Sequence, residues 1–304
     1  MIETHGLSKR FNGLLAVDSL NMHVDEGEVF GFLGPNGAGK TTTVRMLACL
    51  IAPSAGEAIV NGLRVGQDNT AIRRCVGVLT ESPGLYETLS AYQNLAFYAD
   101  LYEVENSKKQ VEKYLRMLDL WERRNEAVAG FSKGMKQKLA IARALIHEPT
   151  VLFLDEPTAA LDPEASKIVR DFIVELKSEK RTIFMCTHNL DEAERLCDRI
   201  AVLKTHLIAV DTPENLRRQL FGRKTVIHLK TVEQHMIAAV RELDFVQSVQ
   251  QADHALLVTL SDPEEQNPII VQKLVQMGAQ VQFVNELKHS LEDVYLTLVK
   301  EAGQ

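Results

Sequence analysis

Apolar and polar positions fall along the chain in patterns that assign most of its elements before any motif is considered. Short β-rich runs dominate from Met1 to about Val60, and the turn Asp25-Glu26-Gly27 precedes the continuous apolar run Val29 to Leu33. Such a run reads as a buried strand. A glycine-rich loop, Gly34 to Gly39, comes next and opens onto Lys40 to Leu50, where Arg45, Met46, Leu47, Ala48 and Leu50 are good helix formers. Between Tyr86 and Gly130 the period becomes helical, as at Val111, Tyr114, Leu115 and Leu118. This predicts a helical subdomain over about residues 86–145. Ser132 is placed to cap a helix through Ala140, Ala142 and Ala144 to Ile146, which His147-Glu148-Pro149 breaks. Two short apolar runs, Val151 to Leu154 and Thr182 to Met185, flank a helical stretch from Pro163 to Lys177. That order is the signature of parallel βαβ units, so a mostly parallel sheet flanked by helices is expected.

Around Asp211 to Lys224 the strands stop and charge rises, with Pro213 able to begin a short helix and Gly222 to end it. A domain boundary is expected near Lys224, giving domains of residues 1–224 and 225–304. Beyond it, Thr225 to Lys230 alternates as a strand, Val232 to Leu243 is helical, Ala255 to Leu260 is a strand and Pro268 to Met277 is helical. Gln280 to Val284 supplies another strand and Ser290 to Val299 a terminal helix. The order resembles βαββαβ, a small α+β domain of the split βαβ kind.

Composition narrows the class without changing this picture. The 304 residues, 45% hydrophobic and 25% charged, suit about two globular domains and exclude disordered or fibrous chains. The apolar run Met46 to Ala52 is far short of the roughly 20 residues of a spanning helix, and Glu3, His5 and Lys9 interrupt any secretory signal. A cytoplasmic protein is expected. Cys49, Cys75, Cys186 and Cys197 show no C-x-x-C spacing and read as reduced packing residues. The net charge of −7 is concentrated, with −6 on residues 225–304 and −1 on the first 224. Nucleic acid wants the opposite sign, so it is not expected as a partner.

Chemistry is concentrated in two places. Gly34-Pro35-Asn36-Gly37-Ala38-Gly39-Lys40-Thr41 fits G-x-x-x-x-G-K-[ST], with a strand before it and a helix after it. Glycines let successive N–H groups converge on phosphate oxygens, and the helix adds its positive end. Lys40 is expected on the β- and γ-phosphates and Thr41 on Mg²⁺. Asp155-Glu156 ends a buried strand, where parallel sheets place ligand-binding groups. Asp155 is the expected partner of Mg²⁺, and Glu156 the group that polarises the water attacking the γ-phosphate.

These residues resemble the ATP-binding cassette ATPases, the nucleotide-binding subunits of ABC transporters, over about Met1 to Asp211. Phe131-Ser132-Lys133-Gly134-Met135-Lys136-Gln137 is similar to the family's signature loop, upstream of the Asp155-Glu156 strand. The resemblance implies that Ser132 and Gly134 face the γ-phosphate bound by a second protomer. It implies further that Ala159-Ala160-Leu161-Asp162 bridges the dimer, that His188 contacts the γ-phosphate, that Phe11 stacks on adenine, and that Thr42 and Asp162 join the nucleotide site. The implied fold is an α/β P-loop cassette with a mostly parallel sheet, antiparallel β and helical subdomains, and the small C-terminal α+β domain.

The chain departs from the family pattern at Glu81, where Gln is usual and where a carboxylate still reaches Mg²⁺ through water, at Lys133 and Met135 of the signature, and at Ala160. Ser290-Leu291-Glu292-Asp293-Val294-Tyr295 resembles the end of the accessory domain on ABC-2 type exporters of drugs, antibiotics or ions. The resemblance implies a Mg²⁺-dependent ATPase that pairs as a homodimer or heterodimer. It implies docking, through grooves near Glu81 to Leu95, onto a separate membrane permease at the inner face of the cell membrane. A soluble cassette ATPase acting on ribosomes or DNA is the alternative. A small-molecule kinase would leave Ser132 to Gln137 without a role.

Overall fold

A computed structural model of the chain describes residues 1–80, 84–159 and 161–302; Glu81 and Ala160 lie outside the described residues. Two compact units emerge, one of Met1–Asp211 with Leu298–Gln304 and one of Thr212–Thr297. The break falls earlier than Lys224 because the helix Pro213–Phe221 belongs to the second unit, where Phe221 stacks on His289 with ring centroids 4.0 Å apart.

The first unit is organised on a six-stranded sheet. Its order is His206–Asp211, Arg199–Lys204, Val29–Leu33, Thr182–Thr187, Val151–Asp155 and Val76–Leu79, all parallel except the first. The three central strands are buried at every residue, which is why they read as unbroken apolar runs rather than alternating ones. Phe30, Phe32, Phe153 and Phe184 meet on one face, with the Phe184 ring 5.6, 4.9 and 5.8 Å from those of Phe30, Phe32 and Phe153. A second, antiparallel sheet joins Leu14–Val24, Ile2–Phe11, Ala55–Val60 and Leu63–Arg64.

The helix Lys40–Leu47 is shorter than its sequence predicts. Cys49 adopts φ +56°, and the Leu50 and Cys49 N–H groups reach back to the Arg45 and Met46 carbonyls at 2.8 and 3.0 Å. This left-handed closure ends the helix without a glycine. The predicted helical segment is built from Ala91–Leu101, Ser107–Met117 and Lys133–Leu145, with two single turns of tighter helix, Trp121–Arg123 and Val128–Gly130, between the second and the third. Ser90 and Gln93 form a reciprocal cap on the first of these.

The second unit has its own core, around Ile227, Val240, Leu256, Val258, Ile270 and Leu274. Its strands order as Val246–Ala252, Ala255–Leu260, Arg223–Leu229 and Val281–Glu286, every pair antiparallel. Helices Gln234–Arg241 and Pro263–Gln276 complete the βαββαβ sequence. The second helix starts five residues before the predicted Pro268, because Asp262 caps it and Pro263 supplies its first residue.

Glu148 ties the helical segment to the sheet. Lys113 donates to it at 2.8 Å, Gln110 donates from the same helix, and Arg181 donates from the residue before Thr182–Thr187. Burial pushes the Glu148 carboxyl up, but hydrogen bonds from Lys113, Arg181 and Gln110 outweigh it and hold the carboxyl at about 2. A carboxylate depressed on folding stabilises above its unfolded value and loses that contribution as pH falls toward its folded one. Glu148→Gln should therefore cost about 1 kcal/mol in denaturant melts at pH 7, as expected for a partly exposed charged network. The gap between variant and native should narrow below about pH 4.5 and close toward pH 2.

Candidate active site

The loop after Val29–Leu33 is shaped by close approach. A Cβ on Gly34 would lie 2.4 Å from the Leu203 carbonyl oxygen, and one on Gly39, at φ +102°, 2.4 Å from that of Ala16. Only glycine fits either place. The loop is further anchored where the Thr205 N–H donates to the Ala38 carbonyl at 3.1 Å and the Asp18 N–H donates to the Thr205 carbonyl at 2.8 Å. It runs into the N-terminus of Lys40–Leu47, whose first turn carries no acidic residue, so its free N–H groups and dipole are directed to an anion. Lys40 is buried and its Nζ curls along the loop, donating to the Gly34 carbonyl at 2.5 Å and to that of Pro35 at 3.3 Å.

Three adjacent strands deliver the rest. Register places Phe32, Cys186 and Asp155 in one transverse row, with Leu33 beside Thr187 in the next. Thr41 Oγ1 consequently donates to Asp155 Oδ2 at 2.8 Å. A hydroxyl beside a carboxylate is a hard-oxygen donor set, which suits Mg²⁺ completed by phosphate oxygens and water. Among the described residues no cluster of three or more His, Cys, Asp or Glu could hold a metal by itself. Complete burial pushes the Cys186 thiol well above its ordinary value, and the neighbouring Asp155 carboxylate adds to the shift.

Glu156 leaves the strand at φ +52° while its N–H donates to the Cys186 carbonyl at 2.9 Å. A left-handed, non-glycine residue costs on the order of 1 to 3 kcal/mol and is held only by its surroundings. The bend brings Glu156 Oε1 to 2.8 Å from His188 Nδ1, while the Thr187 hydroxyl donates to Oε2 at 3.4 Å. The Glu156 side chain is 17% exposed and that of His188 69%, so the pair stands at the rim of a cleft.

That cleft, about 480 Å³ in volume, is lined by Phe11, by every residue from Pro35 to Thr42, and by Asp155, Glu156 and His188. Gly34 adjoins it at the start of the loop. Leu14, 72% exposed, and Ala16 also line it, and neither was singled out by sequence. The signal for Leu14 was an apolar residue facing Phe11 across the turn Asn12-Gly13, with which it pairs in register. Phe11 is 43% exposed, and Lys9 Nζ sits 5.0 Å from its ring centre.

Ser132, Gly134 and Asp162 do not line this cleft. Ser132 Oγ caps Lys133–Leu145 by accepting from the Met135 N–H at 3.3 Å, and Asp162 caps Pro163–Ser178 by accepting from the Ala165 N–H at 2.8 Å. A Cβ on Gly134 would press on Ala165 Cβ at 3.3 Å. The three therefore gather around Ala165 as a second polar patch. Gln137 Nε2, donating to the Pro157 carbonyl at 3.0 Å, connects that patch to the Asp155-Glu156 turn.

Comparison with known proteins agrees with this geometry. Residues 17–159 match the ABC transporter family model, and residues 212–299 match the C-terminal domain of DrrA1-3-like ATP-binding proteins. The bacitracin transport ATP-binding protein BcrA of Bacillus licheniformis is 32% identical over 98% of this chain and 97% of its own. The daunorubicin resistance ATP-binding protein DrrA3 of Streptomyces coeruleorubidus is 34% identical over 99% of this chain and 98% of its own. A solved dimeric ATP-binding cassette in a post-hydrolysis state, bound to ADP and Pi, superposes with a TM-score of 0.65 at 25% identity, covering 70% of this chain and 98% of that one. Near-full-length relatedness, a phosphate loop at a helix start and a Thr41–Asp155 pair beside Glu156 lead to one assignment: the chain belongs to the ATP-binding proteins of ABC transporters and is a Mg²⁺-using ATPase.

Proposed function

We propose that this chain is the ATP-hydrolysing subunit of an ABC exporter, working as a pair of cassettes beneath a separate membrane permease. The observation that carries the reading is the division of candidate residues between two patches of one chain, the cleft around Lys40 and the Ser132, Gly134 and Asp162 patch around Ala165. Each patch is half of a site, and two chains facing head to tail complete two whole ones. The names of the near-full-length relatives, a bacitracin transport and a daunorubicin resistance protein, support export. Among the described residues no helix is long and apolar enough to cross a membrane. A groove of about 260 Å³ is lined by Arg73, Thr80, Tyr98, Tyr102, Arg143 and His147. Thr80 directly precedes and Tyr98 follows the segment Glu81 to Leu95, so this neighbouring groove is the proposed seat of that permease on the membrane's inner face.

The residues divide the work by position. Phe11 stacks on adenine while the N–H groups of residues 34–42 hold the phosphates, and Lys40 exchanges its backbone carbonyls for β- and γ-phosphate oxygens. Thr41 and Asp155 would hold Mg²⁺, which would supply charge neutralisation at the transferring phosphoryl group; Glu81 is proposed to reach it through water. Glu156 accepts the proton of the attacking water. By binding Nδ1 of His188, Glu156 leaves Nε2 as the ring nitrogen available to the terminal phosphate. Ser132 and the Gly134 N–H, at a helix N-terminus, bind that phosphate on the opposite chain.

Glu156→Gln keeps the shape and removes the base, so ATP turnover should fall by about 10² to 10⁴ with ATP still bound. Native turnover in that variant would take Glu156 out of this role. In the Glu156→Gln background, scattering with ATP and Mg²⁺ should report dimers. Adding Ser132→Arg should return the sample to monomers while each chain still binds nucleotide.

A further inference from the structure

Outside the cleft, one buried carboxylate links the loops that carry the proposed catalytic groups. Glu192 lies on the helix Leu190–Leu196, with its side chain 4% exposed. Its Oε2 accepts from Thr158 Oγ1 at 2.5 Å, and its Oε1 accepts from Arg170 Nη1 at 3.1 Å. Thr158 stands two residues beyond Glu156, and Arg170 lies on the helix capped by Asp162. The Glu192 N–H donates to Asn189 Oδ1 at 3.2 Å, the Asn189 N–H donates to Thr187 Oγ1 at 3.0 Å, and that hydroxyl donates to Glu156. The contacts close on themselves: Glu156, its turn through Thr158, Glu192, Asn189, Thr187 and Glu156 again.

Burying an ion pair is weak support for stability, because desolvation offsets most of the attraction and apolar residues of similar volume often do as well. What a carboxylate supplies and an apolar side chain does not is two directional acceptors that fix the angle between loops. We infer that Glu192 is a positioning residue for ATP hydrolysis. By holding the Thr158 hydroxyl, it sets the turn after Glu156 against the Thr187-His188 loop and keeps the Glu156 carboxyl on His188. Through Arg170 it refers both loops to the helix that Asp162 caps. The inference rests on Glu156 as the base and His188 as its partner at the terminal phosphate.

The test measures kcat and KM for ATP in Thr158→Val, Thr158→Ser, Glu192→Gln and the Thr158→Val/Glu192→Gln double variant of the full chain, with Glu156→Gln alongside. Thr158→Val removes the hydroxyl at nearly constant volume and should lower kcat by about 10- to 100-fold, the scale of misplacing a reacting group, with KM within about two-fold of native. Thr158→Ser should restore kcat, and the double variant should be no slower than the slower single one, because both act through one contact. An unchanged kcat in Thr158→Val, an equal loss in Thr158→Ser, or a rise in KM that accounts for the loss would overturn the positioning role. Should Glu192→Gln fail to fold, the two Thr158 variants decide alone. Native turnover in Glu156→Gln would instead defeat the reading on which the inference rests; an inactive Glu156→Gln beside a native-like Thr158→Val defeats only the inference.

Discussion

Parallel strands bring their carboxyl ends to the same edge, and the chemistry of this chain depends on three of them arriving in step. The row Phe32, Cys186 and Asp155 sets Asp155 beside the hydroxyl of Thr41, 114 positions away in the chain. Side chains alternate faces along a strand, so a slip of one residue would turn Asp155 away from the loop. The four phenylalanines that meet on one face of these strands oppose that slip, since aromatic rings so large have no second register in which to pack. Core and site are thus one constraint seen from two ends.

The strands fix where groups start, and the turns after them fix where groups point. Glu156 gives up a comfortable backbone conformation to face His188, and the turn that bends it is held by Thr187 and the Cys186 carbonyl. The helix caps at Ser132 and Asp162 satisfy their own N–H groups first, and they meet over Ala165, whose methyl would be pressed by a side chain at 134. The second unit obeys the same logic without any of this chemistry. Its antiparallel sheet, with two helices, closes over an apolar core of its own.

Elements with strong periodicity, and motifs fixed by a single physical requirement, were legible from sequence. The phosphate loop, the Asp155 strand and the Ser132 cap stand where the pattern put them, because a buried strand must be apolar throughout and a helix start needs an oxygen acceptor. The strand Val246–Ala252 was not legible: it is an exposed edge with only Val249 buried, and its glutamines carry no alternation. Pro268 misled in the other direction, since a proline within the helix costs one hydrogen bond but does not stop an element that Asp262 has already capped. The ring through Glu192 was invisible, because it joins residues by side chains at separations up to 34 positions and no local spacing records it.

Thr205 belongs to no motif, yet it stitches the phosphate loop to both sheets of the first unit. Its N–H holds Ala38, its carbonyl takes the N–H of Asp18, and the glycines wedge the same loop against Leu203 and Ala16. The adenine wall and the phosphate wall are thereby tied to each other through backbone contacts. On the opposite bank Glu156 and His188 stand on turns that are tied to each other by side chains rather than wedged through backbone.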